Sequence, residues 1–129
     1  MNRTILLIGV VMGMLAIILG AFGAHGLEKL VDTEAVATFE TGVRYQMYHA
    51  LLLLFLGVWN GMETKTKRTV FVLVLLGVIL FSFSIYLLAL NSLTSFDFKI
   101  IGFLTPIGGV LMILGWAVLG FKILKTKKG

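Results

Sequence analysis

Four apolar runs dominate this chain: Ile5–Gly23, about Val43–Met62, Thr69–Leu90 and Ile100–Phe121. Each is long enough to cross the hydrocarbon core of a bilayer, which takes about 20 helical residues. Lipid cannot satisfy a backbone N–H or C=O, so runs of this length must be helices. Composition agrees. The 129 residues are 59% hydrophobic and 13% charged, where an average soluble domain is about 25% charged. A water-soluble protein this small could not hide so much apolar surface. The fold expected is all-α, an integral membrane four-helix bundle with a short amphipathic segment between helices 1 and 2. It would form a single transmembrane domain over residues 1–129.

Charge sets the expected direction of the spans. Four spans put the N-terminus, the second loop and the C-terminal tail on one side. That side carries Arg3, Lys65, Lys67, Arg68, Lys122, Lys125, Lys127 and Lys128, against Lys29, Arg44 and Lys99 on the other. The bias is expected to put both termini in the cytoplasm. Trp59 and Trp116 are expected as aromatic anchors near the cytoplasmic face, and Tyr45 and Tyr48 near the outer one. The first run also resembles a signal-peptide core, but it is longer than usual and carries glycines throughout, so it is expected to remain as a span.

The long connection Ala24–Gly42 holds Glu28, Asp32, Glu34 and Glu40. Asp32 reads as a helix N-cap, with Glu34 in the first turn where the helix dipole favours an anion. From there a helix can run unbroken through Gly42 into the second span. Glu40 and Arg44, four apart, are placed to pair. The whole segment is expected on the outer membrane surface.

Spans in lipid associate through close packing at small residues and through interhelical hydrogen bonds. Gly9, Gly13, Ala16, Gly20 and Gly23 step by four, three, four and three residues, so they form one stripe along span one, with a GxxxG pair at Gly9 and Gly13. Packing inside one bundle is its expected use, and dimerisation the alternative. Span four holds the only proline. Pro106 cannot donate to the carbonyl of Gly102, so a kink is expected there, with Thr105 answering freed backbone groups and Gly108 and Gly109 opening space beyond it. In span three, Gly77, Phe81, Ser84, Leu88 and Asn91 share a helical face, and Ser84 is a candidate for an interhelical hydrogen bond.

Chemistry has few places to reside. No Asp, Glu or Lys lies deep in a span, which argues against small four-helix exporters that couple protons through a membrane-embedded carboxylate. The absence of cysteine excludes disulfides and thiolate chemistry. Two histidines remain. His49 is expected under the outer interface, sharing a face with Tyr45 and Gln46. His25 begins the loop at the same face and is expected to fasten the outer end of the bundle through a hydrogen bond. His25, Tyr45, Gln46 and His49 are thus the candidate polar interface patch. Two histidines fall short of a zinc site, and Glu28 or Glu40 would make only a third ligand; neither a metal nor any other cofactor is expected. The lysines stand in short clusters beside apolar runs, which suits an anionic leaflet rather than nucleic acid. The expected partners are the lipid bilayer and either a second copy of the chain or a larger membrane complex.

Three motifs in order, "GAFGAHGL" (Gly20–Leu27), "TGVRYQMYHALLL" (Thr41–Leu53) and "TPIGG" (Thr105–Gly109), resemble the signatures of the YgdD/YwdK-like small membrane proteins. These form the domain-of-unknown-function family 423, related to a small human transmembrane protein. The resemblance covers essentially the whole chain. It implies a location and a topology but no catalytic role. Phe83 stands where the family pattern has a glycine or other small residue, so looser packing of span three is expected at that point. The function expected is that of a non-enzymatic structural or accessory membrane protein. The alternatives are a small-solute transporter or channel using the bent fourth span, and a lipid- or metal-binding protein using His25 and His49.

Overall fold

The computed structural model describes residues 2–95 and 97–126. Four long helices carry the fold: α1 (Asn2–His25), α2 (Thr33–Val58), α3 (Thr64–Ala89) and α4 (Leu104–Lys125). Short 3₁₀ turns lie at Leu27–Lys29, Asn91–Leu93 and Phe98–Ile101. Among the described residues there is no strand. The start of α1, the end of α2 and the start of α3 meet at one end, where the buried Lys67 ammonium donates to Asn2 Oδ1 at 3.0 Å. Lys122, near the end of α4, shares a cavity there with Glu63. The helices therefore run up, down, up and down. Lys127 and Lys128 lie outside the described residues.

Three helical stretches are long and apolar enough to cross a membrane: Asn2–Lys29, Thr64–Ala89 and Phe98–Lys125. The exception is α2, because its stretch from Thr33 to His49 carries Glu34, Glu40, Arg44, Gln46 and His49. That helix nevertheless lies at the centre of the packing. α1 packs chiefly on α2, and α4 chiefly on α3.

The Asp32 cap is present: its Oδ1 accepts from the Ala35 amide at 2.8 Å. The helix it starts runs unbroken to Val58. The segment Thr33–Gly42 forms the first turns of α2, continuous with the rest of the helix as expected. Phe39 is buried there, with its ring against Gly23 of α1 and 4.9 Å from the Tyr86 ring of α3. Burial of that ring holds the segment inside the bundle. Glu40 and Arg44 do not pair; Arg44 donates to Thr41 Oγ1 at 3.1 Å.

Two helix-level expectations need correction. α4 begins at Leu104, so Pro106 stands in its first turn. Amides there have no intrahelical acceptor, the missing N–H breaks no helix hydrogen bond, and no kink follows from it. Thr105 Oγ1 instead bonds Ser84 Oγ of α3 at 2.6 Å, and Ser84 Oγ in turn donates to the Phe81 carbonyl at 2.9 Å. The second concerns α3, which opens into one π turn at Ile79–Phe83. Phe83 projects outward from that turn, half-exposed, so its bulk does not loosen the packing of α3.

Candidate functional site

The polar side chains that matter come from the middle of the helices. Gln46 is buried on α2 and reaches two neighbours. Its Nε2 donates to the Met12 carbonyl of α1 at 2.8 Å, and its Oε1 accepts from the Tyr86 hydroxyl of α3 at 2.6 Å. One turn of α2 nearer the loop end, the Gly42 carbonyl accepts from Ser82 Oγ of α3 at 2.8 Å. Ser82 belongs to the π turn, where the wider backbone brings it round to α2.

His49 is also buried. Its Nε2 lies 3.0 Å from the Trp116 indole nitrogen of α4, and its Nδ1 lies 2.7 Å from the Tyr45 carbonyl. An indole N–H can only donate and a carbonyl can only accept. The imidazole is therefore neutral, with its proton on Nδ1. Both ring nitrogens are engaged within the chain, which leaves no lone pair for a metal and no open position for a travelling proton. Among the described residues no three His, Asp or Glu side chains converge.

This geometry moves His49 deeper than the hydropathy edge suggests. At about 1.5 Å per residue, Trp116 is roughly 18 Å from Leu104 and about 14 Å from Lys125, near the middle of α4. His49 shares that level. Trp116 therefore stands near the middle of α4 rather than at its end. Tyr45 and Tyr48 likewise lie well inside α2, their rings tilted against each other with centroids 5.6 Å apart, and Tyr45 is also 5.0 Å from the Phe81 ring. Trp59 does sit at a helix end, capping α2.

His25 does not join these groups. It is exposed at the end of α1 and makes no side-chain hydrogen bond among the described residues. The fastening contact expected of it is absent, because the 3₁₀ turn that follows carries the chain across to Asp32 without needing it. The four residues of the polar patch separate: Gln46 and His49 inward, Tyr45 half-exposed, His25 outside. Tyr86 and Ser82 complete the inner set, and the half-exposed Trp116 bonds it from α4. Tyr86 had a usable signal, as the one tyrosine outside α2; Ser82 and Trp116 had none without the π turn and the helix crossing.

The small residues of span one all face α2. A Cβ at Gly9 would stand 3.1 Å from the Ala50 carbonyl, Gly13 faces Ala50 and Met47, Gly20 faces Val43 and Gly23 faces Phe39; Ala16 is buried in the same seam. On the other side of the bundle, Gly108 lies directly on the α3 backbone. A Cβ there would overlap the Phe81 nitrogen and stand 2.7 Å from the Gly77 carbonyl oxygen. Gly109 is looser, 3.8 Å from the Phe81 ring.

Comparison with known proteins fits this picture of a small helical membrane chain. Residues 19–109 match the family described as "Protein of unknown function (DUF423)". A UPF0382 membrane protein of Staphylococcus saprophyticus is 40% identical over 117 residues, covering 91% of this chain and 93% of the relative. One from Staphylococcus epidermidis is 39% identical over 123 residues, covering 95% and 97%. One from Haemophilus influenzae is 35% identical over 115 residues, covering 89% of each. No solved structure matches. With the family match spanning most of the chain and relatives aligned nearly end to end, the chain belongs to the DUF423 family, whose curated relatives are bacterial membrane proteins.

Proposed function

We propose that this chain is a four-span protein of the bacterial inner membrane with both termini in the cytoplasm, and that it acts as a non-enzymatic structural or accessory component. The observation that carries the reading is the closed polar interior. Gln46, His49, Ser82, Tyr86 and Trp116 bond one another or backbone carbonyls, and among the described residues no buried side-chain polar atom lacks a partner. A transport route or a catalytic centre needs polar groups left open to the solute or substrate. These groups act as struts. α2 counts as a fourth span because Gln46 and His49, the polar side chains nearest its middle, are buried against neighbouring helices. The orientation rests on the cluster of Arg3, Lys65, Lys67, Arg68, Lys122 and Lys125 at the end that holds both termini.

Reconstitution tests the function. Proteoliposomes should pass protons and small cations no faster than protein-free vesicles, and mild detergent extraction should yield a complex with a stoichiometric partner or a second copy. A flux abolished by His49→Ala would overturn the accessory reading in favour of a small-solute transporter or channel. A reporter fused after Lys125 should be cytoplasmic, and a periplasmic signal would reverse the topology.

A further inference from the structure

The end of the bundle that carries the lysine clusters holds two joined cavities. The first, about 210 Å³, lies between the start of α3 and the end of α4 and is lined by Glu63, Lys65, Thr66, Thr69, Val118 and Lys122. The second, about 330 Å³, is an apolar furrow along α4, walled by Leu114, Ala117 and Phe121. Val118 and Lys122 belong to both. A smaller cavity adds Lys125 and Thr126 beside the first.

Several features of the first cavity favour an anion. Among the described residues, neither Lys65 nor Lys122 has an ion-pair partner. Glu63, the N-cap residue of α3, makes no side-chain cap hydrogen bond, so the first-turn amides of a long helix lack a side-chain cap beside the lysines. Glu63 itself accepts from Thr66 Oγ1 at 3.1 Å, and three lysines outweigh its one carboxylate. Lys125 leans over the Phe121 ring at 5.3 Å, where the furrow begins. A cationic cup opening onto an apolar furrow, at the end of a membrane helix, has the two-part chemistry of a phospholipid.

We propose that this paired cavity binds an anionic phospholipid, with the phosphodiester between Lys65 and Lys122 and an acyl chain along Leu114, Ala117 and Phe121. Lysines near an anionic leaflet gain electrostatically, and the furrow adds a contact that a diffuse surface charge would not. The inference rests on membrane residence, but not on which side of the membrane the termini occupy.

Native mass spectrometry of the detergent-purified full chain tests it without a bilayer, so the outcome is independent of topology and of transport. The probes are dioleoyl phosphatidylglycerol, phosphatidylethanolamine with the same acyl chains, and inorganic phosphate. Phosphatidylglycerol should bind at least tenfold more tightly than phosphatidylethanolamine. Lys65→Gln with Lys122→Gln should weaken it at least tenfold, Lys65→Arg with Lys122→Arg should restore it, and Lys29→Gln with Lys99→Gln at the opposite end should leave it unchanged. Ala117→Phe, which fills the furrow, should weaken it severalfold. Equal binding of the two lipids, full binding by the double glutamine variant, or equal loss in the opposite-end control would overturn the site. Displacement of the lipid by phosphate at equal concentration would make it a phosphate pocket instead, and indifference to Ala117→Phe would remove the acyl chain from it.

Discussion

The bundle has two seams built in opposite ways. Between α1 and α2, the glycines of α1 mostly face larger side chains of α2: Gly13 faces Met47 and Ala50, Gly20 faces Val43 and Gly23 faces Phe39. Between α3 and α4, glycines stand on both sides, and Gly77 and Gly108 bring backbone onto backbone. A methyl group added to the first seam at Gly13, Gly20 or Gly23 meets side chains, which can rotate, and it touches backbone only at Gly9, where the Ala50 carbonyl oxygen lies at 3.1 Å. Added to the second, it meets peptide units, which cannot. Both seams exclude lipid by close packing, but only one of them tolerates error. Across the gap between the two helix pairs run the side-chain bonds of Gln46, Ser82 and His49, so the polar groups join halves that glycine has already closed.

Gly108→Ala should have the largest effect. The new Cβ must push α3 and α4 apart, and overpacking of this kind costs about 1–3 kcal/mol or more. Titration with a denaturing detergent should show it losing far more stability than Gly9→Ala, whose Cβ would meet the Ala50 carbonyl oxygen at 3.1 Å and Leu54 at 3.2 Å. Equal losses would erase the contrast between the seams. Gln46→Leu should come next. It removes the bonds to Met12 and Tyr86 together, on the order of 1–2 kcal/mol for interhelical bonds in a membrane protein, and the same titration reads it.

Trp116→Phe should cost less, about 0.6 kcal/mol for one such bond. It also has a local readout. The nitrogen chemical shifts of His49 should report a neutral ring protonated at Nδ1 in the unaltered chain, and the Nε2 signal should move once the indole is gone. A ring protonated at Nε2 would break the proposed link between the halves. The smallest effect is expected for Gly13→Ala, where the nearest neighbours would be Ala50 Cβ at 3.7 Å and Met47 Sδ at 3.9 Å, ordinary contact. Its stability should stay within about 0.5 kcal/mol; a larger loss would show that the first seam is as rigid as the second.

What could be read in advance followed the range of each signal. The Asp32 cap is local, since a carboxylate and an amide three residues on decide it. The small-residue stripe of α1 is written on one helix at one period. The α3–α4 seam is written on two helices, and Gly77 and Gly108 acquire meaning only once the crossing is known. Depth was misjudged for a related reason. Hydropathy ends a span where polar residues begin, yet Gln46 and His49 are sheltered by neighbouring helices, while the start of α2 at the Asp32 cap was legible from the cap alone. Pro106 misled because its effect depends on how far it stands from the helix start, and that start was placed too early. His25 had only its position at the end of an apolar run to suggest a partner, and the turn that follows offers none.

The wide turn at Ile79–Phe83 has a consequence for the length of the chain. A single π turn holds about one residue more than the same stretch of α-helix, and the flanking segments keep their facing only because the surplus is absorbed there. Here α3 can be shortened without being turned. Removing Ile79, whose side chain is partly exposed, would let the turn close to an ordinary one, with Gly77 still against Gly108 and Tyr86 still aimed at Gln46. Removing Leu76, one turn earlier in the regular helix, would swing the preceding segment through about 100° relative to all that follows. Two deletions three residues apart would then part company, one giving a shorter protein and the other a misassembled one.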